Sequence, residues 1–419
     1  MMKEAIRKFG LEYCELPDML SNVSIMLRTL TLNVDSRNKT PILTIFYISM
    51  VIMSIDYIYV YVLSGAWFSL WHCVKTGELG PAMIAFSLMS TSAVAFIKLL
   101  YMIFYEAKFK NLIDRYMACD SRTVKDSRFS KNLTTALRNV KKRGIFYWLL
   151  LIINAVLYIL RPMVTPGRHL TVDTFIIIGL EPMFESPNYE LATLMFMIAV
   201  FFICFTVANV NCFLIMITGY TESQMLALAE EMTHIWDDAN EYYQIMMKEL
   251  SSYGSLYLDH KDFNRVKEKE VLNDYVTEHL KDIIQRHAFN VSLLEGIEDV
   301  MRGPNAVGFL FLIVGLVAEL LGGLNNTILQ LPFTLSQIAT DCFLGQKIMD
   351  ANIKFEHAVY DCKWENFNQV NKKIVLVMLQ NSQKTMTLTA GGMATLSFSY
   401  FMNIIRSTYS VYTTLRSNI

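Results

Sequence analysis

Apolar residues gather into seven long runs, at residues 42–63, 82–104, 145–160, 191–217, 307–321, 327–345 and 393–415, separated by stretches rich in charge. About 20 apolar-leaning residues at ~1.5 Å rise each cross a bilayer as a helix, so the pattern predicts an all-α membrane protein with seven transmembrane helices. The fifth run is short, and Gly-Gly-Leu-Asn-Asn at 322–326 predicts a tight turn into the sixth. Residues 1–41 are mixed polar and charged, which predicts that the first span acts as an uncleaved membrane signal.

Three of the intervening stretches have helical periodicity. Between 222 and 250, Met225, Leu228, Met232, Ile235, Ala239, Tyr243 and Met246 form one apolar stripe that continues the fourth span without a breaker. A second stripe, with Tyr275, Leu280, Ile283, His287, Val291 and Leu294, predicts a helix over 273–295 leading into the fifth span. Residues 251–262 between them, with Gly254, predict a turn, and a third helix over 348–379 extends the sixth span. Three amphipathic helices below one membrane domain should bundle within the chain or against other copies.

The last run is too polar for lipid on every side. At 100° per residue, Thr395, Ser399, Asn403, Arg406, Ser407, Ser410, Thr413 and Thr414 fall within one arc of roughly 120°. A guanidinium inside a span costs at least ~2.5 kcal/mol unless it reaches water or a partner, so Arg406 points to a helix lining water. The other reading is an interior bundle helix whose hydroxyls bond their own backbone carbonyls.

Charge then sets orientation. Outside the spans, 31 Lys and Arg fall on the side of the N-terminus and 4 on the other, with Lys98 and Arg406 inside spans completing the 37. The positive-inside rule places the N-terminus in the cytoplasm and the C-terminus outside. That is opposite to a G-protein-coupled receptor, and neither D-R-Y after the third span nor N-P-x-x-Y in the seventh is present. A net charge of −1 carries no nucleic-acid signature. The seven cysteines lack CxxC pairs, which argues against a zinc site or a disulfide framework, and only Cys73 falls in an outer loop.

Candidate chemistry is sparse. There is no phosphate-cradling glycine loop and no H-E-x-x-H, so neither catalysis nor a cofactor nor a metal is expected. Glu230 and His234, four apart, read as the surface of an amphipathic helix rather than as metal ligands. Asp56 and Lys98 are intramembrane charges at different depths. Lys98 is expected to snorkel, Asp56 to need water or another partner, and Glu319 to reach the outer surface.

The C-terminal third carries three motifs in order: HAVYDCKWENF at 357–367, NSQKTMTLTAGGMATLS at 381–397 and FMNIIRSTYSVYTTL at 401–415. Together they resemble the insect odorant receptor family, in the spaced Tyr360 and Trp364, Ser-Gln-Lys at 382–384, Gly391, and Ser407, Tyr409 and Ser410. The first two-thirds resemble it only in topology and length. The resemblance implies a tetrameric, ligand-gated, non-selective cation channel in the plasma membrane of sensory dendrites. Its last helices would surround one pore, and its cytoplasmic helices would form an intersubunit anchor.

On that basis the chain divides into a cytoplasmic segment (1–41), spans one to four (42–217), a helical anchor (218–306), spans five and six (307–345), a helical extension (346–392) and a pore helix (393–415). The modest loop after the fourth span and the ending Tyr412-Thr413-Thr414 resemble an odorant-binding subunit rather than the shared co-receptor, which would be its partner. The expected ligand is a small volatile odorant, in an apolar cavity in the outer membrane half. The halves that the family uses offer Phe86, Met89 and Ser90; Asn154, Tyr158 and Arg161; Phe196 and Met197; and Ile328, Leu331, Phe333 and Thr334, with Pro332 expected to open space beside Phe333. The pore candidates are Asn403, Arg406, Ser410 and Thr413 from the stripe and Tyr412 from aligning the chain ends, Thr413 lying nearest to both. The related gustatory receptors, which form channels without a co-receptor, remain the alternative, with a transporter more remote.

Overall fold

The computed structural model describes residues 9–77, 79–252 and 261–417, so the turn expected at 251–262 falls largely outside the described residues, as does the Cys73 side chain. A short amphipathic helix, α1 (Leu16–Thr29), carries Pro17 in its first turn, where the missing N–H costs nothing. α2 (Thr44–Trp71), α3 (Leu79–Phe104), α5 (Arg128–Val164), α6 (Asn188–Ser252) and α7 (Lys261–Leu321) are each long and apolar enough to cross a membrane. α4 (Glu106–Asp120) is a separate amphipathic helix that buries Phe109, Leu112, Ile113 and Tyr116. The chain closes with α8 (Gln330–Tyr360), α9 (Gln369–Ser382), a two-residue hairpin of β1 (Thr389–Ala390) and β2 (Ala394–Thr395), and α10 (Phe398–Ser417).

α6 is the axis. Its 65 residues make ~100 Å of unbroken helix, and α2, α3, α5, α7 and α8 all pack on it. The stripe read over 222–250 is its lower half, and the helix read over 273–295 continues into the fifth span within α7. α2 shows the opposite surface: Ile45, Ile48, Val51, Ile52 and Ile55 are exposed apolar side chains, as a lipid-facing side requires.

Two expected helices are corrected. The helix over 348–379 breaks after Tyr360, where Lys363 adopts a left-handed backbone (φ 59°) and resumes as α9 behind an Asn368 cap. Buried Cys362 and the ion pair of Lys363 with Asp237 (2.6 Å) hold that corner, so tertiary contacts override the helical spacing. The last span starts at Phe398 rather than 393, because Gly391 and Gly392, both at positive φ, turn the preceding segment into the hairpin. Thr395 therefore lies in β2, off the polar stripe. The hairpin docks on α7 through Thr389 N–H to Glu298 (2.9 Å) and Gly391 N–H to the Arg302 carbonyl (3.1 Å).

Candidate functional site

Five helices converge on a small cavity of about 50 Å³. α2 contributes Tyr61; α3 Leu88, Thr91 and Ser92; α5 Asn154 and Tyr158; α6 Val200, Ile203 and Cys204; and the first turn of α8 Leu329, Gln330 and Phe333. α2 widens into π-helical turns at Ile58–Ser64 and Phe68–His72. The Tyr59 hydroxyl donates to the Ile178 carbonyl (2.7 Å) and the Ile178 N–H donates to Ser64 (3.2 Å), tying this wide turn to the loop between α5 and α6. Such turns recur at functional sites because they re-aim side chains. Here Tyr61 packs edge-on to Phe196 (6.4 Å between centroids), and Phe175 of the α5–α6 loop packs on both.

The polar atoms of the cavity are few and mostly engaged. Gln330 donates to the Tyr158 hydroxyl (3.3 Å) and accepts from Ser87 (3.1 Å). Asn154 donates to the Leu329 carbonyl (3.1 Å), and Ser92 lies 3.4 Å from Tyr57. A mostly apolar chamber with a few oriented hydroxyls suits a small, weakly polar molecule. At its present volume it admits one only if side chains move aside.

Of the residues expected from sequence, Asn154, Tyr158 and Phe333 meet in this cavity. Phe86, Met89 and Met197 are half-buried elsewhere, and Ser90 instead donates to the Phe311 carbonyl of α7 (2.8 Å). Phe196 backs Tyr61, Leu331 packs against the core, Thr334 donates to Glu319 (2.6 Å), and Ile328 is exposed. Arg161 lines a separate cavity with His169 and Asn326. Pro332 is the third residue of α8, where its N–H would have no partner, so it breaks no hydrogen bond. Tyr61, Thr91, Ser92, Cys204 and Gln330 were missed. On α3 and α6 the lining face lies up to about two turns deeper than expected, and small hydroxyls at Thr91 and Ser92 in an apolar span were the readable signal.

Below the cavity sits a second polar centre. Lys98 does not snorkel: its ammonium is buried, donating to Asn211 of α6 (3.0 Å) and Asp341 of α8 (3.3 Å). Asn211 in turn donates to Tyr147 of α5 (2.6 Å). Glu319 is fully buried rather than at the surface, and Asp56 keeps one carboxylate oxygen without a hydrogen-bond partner among the described residues. Glu230, weighed as a metal ligand, pairs with Lys354 (3.0 Å).

On α10 only Ile404 and Thr408 are buried. Asn403, Arg406, Ser407, Ser410, Thr413 and Thr414 are exposed, while Thr413 and Thr414 also donate to the Ser410 carbonyl. Tyr412 is half-buried and accepts from Arg416 (2.6 Å).

The curated relatives include odorant receptor 85b of Drosophila melanogaster, 23% identical over 211 residues, covering 43% of this chain and 54% of that one. The odorant receptor coreceptor of Ooceraea biroi is 23% identical over 164 residues, 36% of this chain and 32% of that protein. The match thus spans about half or less of these relatives' length. Among solved structures, the olfactory receptor OR5 of Machilis hrabei superposes with a TM-score of 0.68 at 13% identity, over 96% of this chain and 98% of that one. The same receptor in complex with eugenol gives 0.65 at 12% identity. The shared fold is the all-α, seven-span membrane architecture. The sequence model described as 7tm odorant receptor matches residues 78–409, and with that the chain belongs to the odorant receptor family, which comprises receptors and not enzymes.

Proposed function

We propose that this chain is the odorant-binding subunit of a ligand-gated, non-selective cation channel in the plasma membrane, assembled with a co-receptor as a heteromer of four chains, as the family resemblance implies. The observation that carries the reading is the surface of α10. It is a 20-residue helix whose Asn403, Arg406, Ser410 and Thr413 are covered neither by this chain nor by anything lipid can satisfy. Helices of this kind, one from each subunit, can surround water. Apolar side chains exposed in the cytoplasmic helical extension read at 346–392, Tyr360, Val370, Leu376 and Val377, support packing against other subunits there.

A small volatile ligand enters the cavity under Tyr61 and Phe175 and expands it. α8 links this event to the pore. Leu329, Gln330 and Phe333 at its start line the cavity, and ~18 Å further along the same rod Gly345 lies against Leu396. Gln346 accepts from the Phe398 N–H (3.2 Å), the first residue of α10. A shift of α8 therefore reaches the pore helix directly. The co-receptor resemblance supports the partner, and the eugenol complex of OR5 supports a small aromatic alcohol as a first probe.

Whole-cell currents from cells expressing this chain with and without a co-receptor, across an odorant panel including eugenol, test the reading. Ligand-evoked cation current only in the pair is expected. Current from this chain alone would favour the gustatory-type arrangement. Glycan on Asn38 or Asn132 would overturn the cytoplasmic N-terminus, since neither sequon lies outside in this topology.

A further inference from the structure

A cavity of about 370 Å³, several times larger than the one beneath Tyr61, lies between α1 and the lower part of α5 and α6. Met19, Val23 and Met26 of α1 face Gly144, Ile145 and Trp148 of α5 across it, with Met216 of α6 behind. Three polar side chains on its wall are engaged: the Lys141 amine donates to the carbonyls of Gly10 and Tyr13 (2.7 and 2.6 Å), Trp148 donates to Asn209 (3.0 Å), and the Cys212 thiol to Gly144 (3.3 Å); Asn22 of α1 is the other polar side chain lining it. Water held there would find few partners, so hydrocarbon is the fitting occupant. Ile145 and Leu149, which line it, are also exposed on the face that the span turns to lipid.

Charge names the rest of that molecule. Arg138 and Lys142 lie on the same helical face as Ile145 and Leu149, at steps of four, three and four. Both are exposed, one and two turns below the cavity mouth, whereas neighbouring Arg143 is held by Glu222 (2.6 Å). Basic residues at that level attract anionic headgroups. We infer that this is a binding site for an anionic phospholipid of the cytoplasmic leaflet, its headgroup against Arg138 and Lys142 and one acyl chain between α1 and α5. Three methionines give the chamber the adaptability a flexible chain needs. The inference rests on the topology proposed above, which puts this end of α5 at the cytoplasmic face.

The full-length chain with its co-receptor, reconstituted in vesicles, can be challenged with phosphatidylserine carrying a photoactivatable acyl chain and the labelled residues mapped. Label is expected on α1 and on the 144–149 stretch of α5, and phosphatidylcholine bearing the same chain should label these sites less. Gly144→Leu fills the chamber, and a side chain there meets no atom closer than 3.9 Å at its Cβ, so the variant is expected to fold and to lose the label. R138Q and K142Q, on the surface, should each lower the preference for phosphatidylserine about fivefold. Label spread evenly over the lipid-facing helices, or unchanged by Gly144→Leu, would overturn the chain-binding site. Equal labelling by both lipids would overturn the anionic headgroup. Accessibility of an N-terminal epitope, scored in the same vesicles, separates these failures from a failure of the topology: an external N-terminus would overturn the leaflet assigned here.

Discussion

α6 and α10 are both membrane helices of this chain, and they differ in what surrounds them. From 202 to 225 nearly every α6 side chain is buried, including the polar Thr206, Asn209, Asn211, Thr218, Thr221 and Glu222. Most of these find partners inside the chain: Asn209 accepts from Trp148, Asn211 bonds Lys98 and Tyr147, and Glu222 holds Arg143. α10 carries polar groups at similar density yet presents them outward. Polarity is thus mostly satisfied within the chain on α6 and left exposed on α10, where the proposed assembly would cover it. The two helices should respond to substitution in opposite ways.

The largest effect is expected where α6 helps to hold a charge. Lys98→Met leaves Asp341 buried without its ammonium, which costs about 3–5 kcal/mol when one partner of a buried pair is removed. The thermal midpoint in detergent and the surface fraction should both collapse. The double variant Lys98→Met with Asp341→Leu should recover most of the loss, because the desolvation of both charges goes with them. A mild single variant would mean that the site is wetter than its burial indicates.

Next comes the close approach on α6 itself. A Cβ at Gly219 would lie 2.3 Å from Val140 of α5, so Gly219→Ala forces these helices apart at about 1–3 kcal/mol. Val140→Ala in the same chain should relieve it, with melting temperature as the readout. A Gly219→Ala variant as stable as the parent would break the picture of α6 as the tightly packed axis.

A smaller effect is expected at the cavity. Tyr158→Phe removes one hydroxyl and should weaken ligands bearing an acceptor oxygen by about 0.5–1.5 kcal/mol, up to roughly tenfold in half-maximal concentration, while sparing hydrocarbons. Phe333→Leu should reorder which odorants activate without changing assembly. Uniform loss of response together with loss of surface protein would assign both side chains to packing.

How far the sequence reached can be judged on these same elements. The length of α6 was legible because one apolar stripe runs through span and extension without a breaker, whereas α7 begins at Lys261, within the stretch read as a turn, and continues through Gly303 and Pro304. Rotation about a helix axis was not legible: on α3 the expected Phe86, Met89 and Ser90 sit beside Leu88, Thr91 and Ser92, which line the cavity, since the hydroxyls at Ser87, Ser90, Thr91 and Ser92 spread over more than half of the helix circumference and single out no one face. Lys98 was misread because its partner lies 243 positions away. The corner at Lys363 has no glycine or proline to announce it, whereas Gly391-Gly392 did announce the hairpin and was outweighed by the apolar count across 393–415.

On α10 the effect on stability should be the smallest, and it sharpens the comparison most. Ser410 and Thr413 are exposed, and the Thr413 hydroxyl bonds only the Ser410 carbonyl of its own helix, so cysteine at either should change stability by no more than ~0.5 kcal/mol. Ile404 and Thr408, packed against the chain, should tolerate cysteine less well and stay inaccessible to solvent. If the polar face lines the conduction path, small water-soluble thiol reagents should block current at Ser410→Cys and Thr413→Cys, faster with agonist present. Ile404→Cys and Thr408→Cys should be silent. Reaction on both faces alike would mean a helix loosely held in water. Reaction on neither would bury the stripe in a protein interface away from the ions, and then α10 would resemble α6 after all, its polar groups satisfied by a neighbouring subunit instead of by its own chain.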